Sequence, residues 1–206
     1  MMSNTEFTLY EINDGAAWIT LNKPENRNAL SAVLVNELYA HLQNAITDDK
    51  VRCIVITGNG PAFCAGADLK QGADAYYAGS RPDLEERAEF RFDETECPKP
   101  IIAAIDGYAL GGGLELSLRC DIRIATEAST FGLPEVRRGR TSGTGVVMLS
   151  RMIPLGEAKW MQFTGSHMSA QRAYAIGLLQ SITPAREALV VEEEKKIAAE
   201  NQGSKS

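Results

Sequence analysis

Two glutamates and two glycine turns are the parts of this chain whose residue types and spacing could do chemistry. Gly111, Gly112 and Gly113 stand in a row before the helix-favouring run LELSL, which would carry Glu115 in its first turn, and Glu135 follows downstream in FGLPE. Glycines accept positive φ and let the backbone approach a ligand closely. A glycine turn feeding a helix also leaves the first N–H groups unpaired at the positive end of the helix dipole, a place for an anion. A second glycine turn lies upstream in AFCAGADLK, residues 62–70. If both turns aim a backbone N–H at one oxygen, they make an oxyanion hole. Two carboxylates beside such a hole suit a reaction in which a thioester or similar carbonyl gains enolate character while protons move at the adjacent carbons. Taken alone, the triple-glycine stretch is equally well explained as a tight turn with an exposed glutamate complementing the helix dipole.

The elements that must hold these turns follow from pattern. The runs 53–57 (CIVIT) and 101–105 (IIAAI) are too apolar to be half-exposed and read as buried strands, each leading into a glycine turn. Residues 7–12 and 16–21 read as strands of a hairpin closed at Asn13-Asp14-Gly15, and 22–28 (NKPENRN) is turn-rich. Ser31 can cap a helix reaching about residue 46, with Leu34, Leu38, Leu42 and Ile46 along one face. After the turn in 62–70, a short helix is expected. Residues 71–96 are polar and broken at Arg81-Pro82; Leu84, Arg87, Ala88, Arg91 and Phe92 allow an amphipathic helix that could cover a pocket. Helices are expected over 144–152, 156–163 and 169–175, a strand over 178–182, and a last helix from Pro184 with a charged, solvated face. Strand, turn and helix recur in order, which argues an α/β fold.

Composition narrows the function classes. With 206 residues and 44% hydrophobic content, the chain can bury one substantial core. A net charge of −6 without a basic cluster makes nucleic acid an unexpected partner. No apolar run approaches the roughly 20 residues of a membrane span, and the N-terminus lacks the order of a secretory signal. Cys53, Cys64, Cys97 and Cys120 are widely spaced, and His41 and His167 are the only histidines, so no metal site is expected and the thiols are expected to be buried and reduced. A soluble, cytoplasmic protein without a membrane partner is the expectation.

The motifs AFCAGADLK (62–70), PKPIIAAIDGYALGGGLELSLRCDI (98–122) and FGLPEV (131–136) resemble the enoyl-CoA hydratase/isomerase family, the crotonases. LNKPENRNAL (21–30) and TGSHMSAQRAYAIGLL (164–179) fit the same pattern, so the likeness runs through nearly the whole chain. The resemblance implies a spiral of repeated ββα units, with a core over residues 1–183 and the start of a C-terminal helical region over 184–206, and commonly a homotrimer or hexamer. It implies an oxyanion hole from the backbone N–H groups of Ala67 and Gly112, and a catalytic pair in Glu115, which would mainly hold a water, and Glu135, which would mainly handle the α-proton. It places Asn28, Ala29, Ala65, Gly66, Asp68, Leu69, Lys70 and Gly111 at the substrate site, with Asp68 anchoring its turn. Lys70 would lie near a CoA phosphate or adenine, or else be an exposed helix lysine. Coenzyme A would be part of the acyl-CoA thioester substrate, with no separate cofactor. Retention of both glutamates favours hydration of a 2-enoyl-CoA over isomerisation, another acyl-CoA reaction of the family, or a non-catalytic acyl-CoA-binding role.

Three features depart from the hydratase pattern. Where hydratases usually continue after FGLPE with a proline and paired glycines, this chain has Val136-Arg137-Arg138-Gly139-Arg140-Thr141-Ser142-Gly143. Arginines are ordinarily exposed or at a subunit contact; facing inward they would lower the pKa of Glu135 or select a carboxylated acyl group. Tyr76-Tyr77 and many charges border the expected acyl pocket, consistent with a polar or ring-containing acyl group or with ordinary packing. The sequence also stops where the family usually continues through further helices, so a shortened C-terminal part is expected.

Overall fold

The structure is a computed structural model that describes residues 3–4, 7–68, 97–185 and Leu189. Leu69, Lys70, Tyr76, Tyr77, the amphipathic segment within 71–96 and the helix expected after Pro184 lie outside the described residues.

The chain opens with the expected hairpin. Strands β2 (Thr8–Asn13) and β3 (Ala16–Leu21) pair antiparallel in register from Thr8 opposite Leu21 to Asn13 opposite Ala16. Asp14 and Gly15 turn with φ of 48° and 87°, the left-handed pair that a two-residue hairpin loop requires. A short strand β1 (Ser3–Asn4) adds to the edge. Helix α1 (Ala32–Thr47) starts where the Ser31 hydroxyl accepts from the Leu34 N–H at 3.2 Å, and it buries Leu34, Leu38, Leu42 and Ala45. Its far end is closed by Lys99, whose ammonium donates to the carbonyls of Ala45 and Asp48 at 2.8 and 2.7 Å.

From β4 (Cys53–Gly58) onward the chain alternates between two sheets. β4, β6 (Ile101–Ile105) and β8 (Ile122–Thr126) enter one sheet, while β5 (Ala62–Cys64), β7 (Tyr108–Leu110) and β9 (Thr130–Gly132) enter another. Each turn of this spiral gives one strand to each sheet. Helix α2 (Gly112–Leu118) follows the second turn. A 3-10 helix (Pro134–Arg138), helix α3 (Thr144–Met152) and helix α4 (Leu155–Thr164) follow the third. β10 (Met168–Ser169), helix α5 (Ala170–Ala175) and β11 (Ser181–Thr183) complete the described chain. The larger sheet runs β1-β2-β3-β4-β6-β8-β11, parallel from β3 onward; the smaller runs β10-β9-β7-β5.

The central strands β4 and β6 of the larger sheet are buried on both faces, which is why they read as unbroken apolar runs. Ile54, Ile56, Ala103 and Ile105 point into the main core with α1 and the smaller sheet, while Trp18, Val55, Ile102 and Ile124 form a second cluster closed by Leu189. Five further strands were not foreseen: β1, β7, β8, β9 and β10. Four of them span two or three residues, too few to show a period, and the inner position of β8 is a buried arginine. Two expectations need correction. Residues 62–64 form a strand rather than part of a turn into a helix, and the strand expected over 178–182 is Ser181–Thr183, because 173–179 closes α5 instead.

Arg123 of β8 is only 6% exposed. Its guanidinium donates to the carbonyls of Cys120 at 2.7 Å, Ser117 at 3.3 Å and Leu178 at 2.8 Å, tying the last turn of α2 to the segment before β11. Arg123→Leu would leave those carbonyls buried and unpaired. It is expected to lower unfolding stability by about 3 kcal/mol, measured by urea denaturation.

Candidate active site

The first wall of the site is a loop pair. Leu30 N–H donates to the Gly66 carbonyl at 2.8 Å and Asp68 N–H to the Leu30 carbonyl at 3.1 Å, a single parallel bridge between Leu30 and Ala67. In that bonding pattern the N–H of Ala67 itself faces away from Leu30. It faces the second glycine turn: a methyl group at Gly112 would lie 3.5 Å from the Ala67 nitrogen, and one at Gly66 only 3.3 Å from the Gly112 nitrogen and 2.9 Å from the Leu110 carbonyl oxygen. Gly66 has φ of 99°, so both its conformation and this approach require glycine. Gly112 is the first residue of α2, and neither its N–H nor that of Ala67 has an acceptor among the described residues. Two backbone donors from separate turns of the spiral therefore stand side by side, as an oxyanion hole needs.

Asn28, expected at the substrate site, is used differently. It is fully buried with φ of 54°, its amide nitrogen donates to the carbonyls of Asn59, Ala62 and Phe63 at 2.8–3.2 Å, and its oxygen accepts from Lys23 N–H at 2.8 Å. Asn28 thus staples the 23–30 loop to the end of β5 and has no amide atom left for a ligand. Its contribution is to place Ala29, Leu30 and, through Leu30, Ala67.

The two glutamates come from consecutive turns of the spiral. β7 and β9 are parallel neighbours with Leu110 opposite Gly132, so Gly111 and the 3-10 helix carrying Glu135 leave the smaller sheet together. Glu135 Oε1 lies against Gly111, where a methyl group would come within 2.7 Å of it. Glu135 Oε2 is buried with no hydrogen-bond partner among the described residues. Burial pushes the Glu135 carboxyl above the ordinary range and the Glu115 carboxylate adds to this; its own backbone N–H and Arg138 oppose, and burial prevails. Arg137, Arg138 and Arg140 are exposed, as expected of arginine, so the lowering expected of inward-facing arginines does not prevail. Glu115 is held differently: its Oε1 accepts from the Ser142 hydroxyl and from the Gly145 N–H at the start of α3, both at 2.7 Å. One carboxylate is fixed by two donors while the other keeps an unpaired oxygen, an asymmetry suited to two distinct proton roles.

Ser142 escaped the sequence reading because nothing in the sequence joins it to Glu115; the packing of α2 against α3 does. Ser142→Ala is expected to lower kcat about tenfold with little change in KM, because one of two orienting hydrogen bonds is lost. Ser142→Thr, which keeps the hydroxyl, should recover most of it in the same steady-state assay.

Beside these groups lies an open cavity of about 500 Å³. Ala29, Ala65, Ala67 and Asp68 line it, together with Arg27, Leu110, Pro134, Arg137, Arg138 and His167, which were not assigned to a site from the sequence. Glu115, Glu135, Gly111 and Gly112 are not lining residues but adjoin the cavity through Leu110 and Pro134. Arg137 and Arg138 are exposed as expected of arginine, yet both border the cavity. Among the described residues no cluster of three His, Cys, Asp or Glu side chains could hold a metal, and no helix is long and apolar enough to cross a membrane. Cys53, Cys64 and Cys120 are buried and Cys97 half-buried; burial pushes the Cys64 and Cys120 thiols up to about 12, which keeps them from serving as nucleophiles at neutral pH.

Comparison with known proteins agrees with this geometry. The enoyl-CoA hydratase/isomerase family pattern matches residues 11–205. The chain is 40% identical to the 2,3-dehydroadipyl-CoA hydratase of Escherichia coli (strain K12), over 81% of this chain and 65% of that protein. Among solved structures, an enoyl-CoA hydratase from Bacillus anthracis superposes with a TM-score of 0.84 at 36% identity, covering 94% of this chain and 77% of the other. One from Mycobacterium tuberculosis H37Rv gives 0.84 at 34% identity, covering 95% and 77%. The chain spans 61–66% of the length of the curated relatives first matched. A match through nearly the whole sequence, a shared ββα spiral and relatives at about 40% identity have one meaning: the chain belongs to the enoyl-CoA hydratase/isomerase family, whose members act on acyl-CoA substrates.

Proposed function

We propose that this protein hydrates 2-enoyl-CoA thioesters to 3-hydroxyacyl-CoA. The observation that carries the reading is the convergence of two differently held carboxylates, Glu115 and Glu135, on the paired N–H groups of Ala67 and Gly112. The thioester oxygen accepts from the two N–H groups. A water held by the free oxygen of Glu115 gives a proton to that carboxylate as its oxygen bonds to C3, and the C2–C3 electron pair moves toward the thioester oxygen. The enolate so formed is held by the two donors. Glu135, whose carboxyl burial pushes above the ordinary range, then delivers a proton to C2 as the enolate collapses. The balance is one water added; Glu115 ends protonated and Glu135 ionised, and a proton passing between them restores the site. Coenzyme A enters and leaves as part of the substrate.

The test is loss of the conjugated enoyl-thioester absorbance with crotonyl-CoA, at a turnover in the usual enzyme range of about 1–10³ per second. No loss while CoA thioesters still bind would refute hydration of this substrate. Glu115→Gln separates hydration from isomerisation. Hydration requires Glu115 to take the water proton, so turnover should fall by ~10²-fold or more; a variant that keeps most of its activity, with Glu135→Gln inactive, would establish a double-bond isomerase instead.

A further inference from the structure

We infer that Arg137 and Arg138 bind a carboxylate on the acyl group, so that the preferred substrates are thioesters of acids carrying a second acid group. This rests on the acyl-CoA reading above and goes beyond it in naming the class of acyl chain. The chain carries a net charge of −6, yet among the described residues its site cavity is bordered by Arg27, Arg137, Arg138 and His167, against one carboxylate, Asp68. Arg137 and Arg138 have no hydrogen-bonded or ion-paired partner among the described residues. The Arg137 stem is braced against the turn at Gly165, where a methyl group would touch its Cγ at 3.0 Å. The charge of Arg138 reaches the Glu135 carboxyl, whose pKa it opposes raising. A cation beside a proton-donating glutamate works against that glutamate unless an anion compensates it.

The anion could come from either end of the substrate, from the CoA phosphates or from the acyl chain. Position favours the acyl end. Glu135 lies beside Gly111 and the oxyanion hole, hence beside the reacting carbons, whereas the pantetheine arm carries the phosphates to the far end of the molecule. Arg137 and Arg138 lie two and three residues after Glu135 in the same 3-10 helix. Arg27, which borders the same cavity from the loop carrying Ala29, is the cation left for the nucleotide end. Two adjacent guanidinium groups, with their fixed forks of N–H donors, suit a carboxylate.

The experiment is calorimetric titration of the full chain with two unreactive thioesters, butyryl-CoA and glutaryl-CoA, so that its outcome does not depend on turnover. The parent protein is expected to bind glutaryl-CoA roughly five- to tenfold more tightly at low salt, with the preference shrinking in 0.5 M salt. Arg138→Leu and Arg137→Ala should each bring the ratio of the two affinities toward one, and Arg138→Glu should invert it. All three replace exposed side chains, and a circular-dichroism melt verifies that they fold. Equal affinities in the parent protein overturn the inference. So does a parallel loss for both ligands in the variants, which would assign the arginines to the phosphates. Failure of hydration on every enoyl-CoA, with the binding preference intact, would instead overturn the proposed reaction and leave this inference standing.

Discussion

Glu135→Gln is expected to reduce turnover by ~10²- to 10⁴-fold, the usual loss when a positioned proton donor is removed, while acyl-CoA affinity changes little. Gln preserves the shape of the side chain but cannot give a proton to C2. The same substitution should stabilise the fold at neutral pH. The Glu135 carboxyl is raised above its unfolded value by burial, so the folded state holds its proton more tightly than the unfolded chain does. Below the ordinary carboxylate range both states are protonated and the glutamate costs nothing. As pH rises through the unfolded and then the raised folded value, ionisation of the half-buried group costs stability, and above both the cost is constant. Thermal melts should therefore show the Gln variant ahead of the parent at pH 7 and level with it at about pH 3. The kinetic sign follows from the same pair: in the proposed reaction hydration starts with one proton on Glu135, dehydration with that proton on Glu115, and no net proton is taken up, so kcat/KM in both directions should fall together as pH rises past the last ionisation of the pair. A hydration kcat/KM that keeps rising with pH across that range would contradict the assigned role.

Gly111→Ala is the second large effect expected. Gly111 has φ of 53° and ψ of −124°, a region closed to residues with a side chain, and a methyl group there would sit 2.7 Å from Glu135 Oε1. Relief requires rotation of the peptide that carries the Gly112 N–H, displacement of the Glu135 carboxyl, or both. Loss of one oxyanion-hole donor alone costs about 10²- to 10³-fold in kcat, so a drop of at least that size is expected. The larger sheet and α1 are remote from the change, and far-ultraviolet circular dichroism should be nearly unaltered. A variant with near-parental kcat would show that the Gly112 donor is dispensable.

The sequence by itself determined those features whose cause is local. The left-handed turn at Asp14-Gly15, the Ser31 cap with Leu34, Leu38 and Leu42 behind it, and the apolar strands at 53–58 and 101–105 are set by residues within a few positions of one another. The motif order and the Glu115–Glu135 pair pointed to the family because glycines with positive φ and paired carboxylates are chemically specific. What the tertiary structure decided was everything that depends on contacts between distant segments. The strands β7 and β9 are too short to announce themselves, and they exist because the spiral pairs them with each other and with β5 and β10. Asn28 looked like a ligand contact until its amide was found on the carbonyls of Asn59, Ala62 and Phe63. Arg123 interrupts an apolar strand pattern because its charge is met by backbone carbonyls brought from two other segments. The sign of the Glu135 shift turned on the balance between burial and the nearby charges of Glu115 and Arg138, and burial is a property of packing, not of the residues adjacent in sequence.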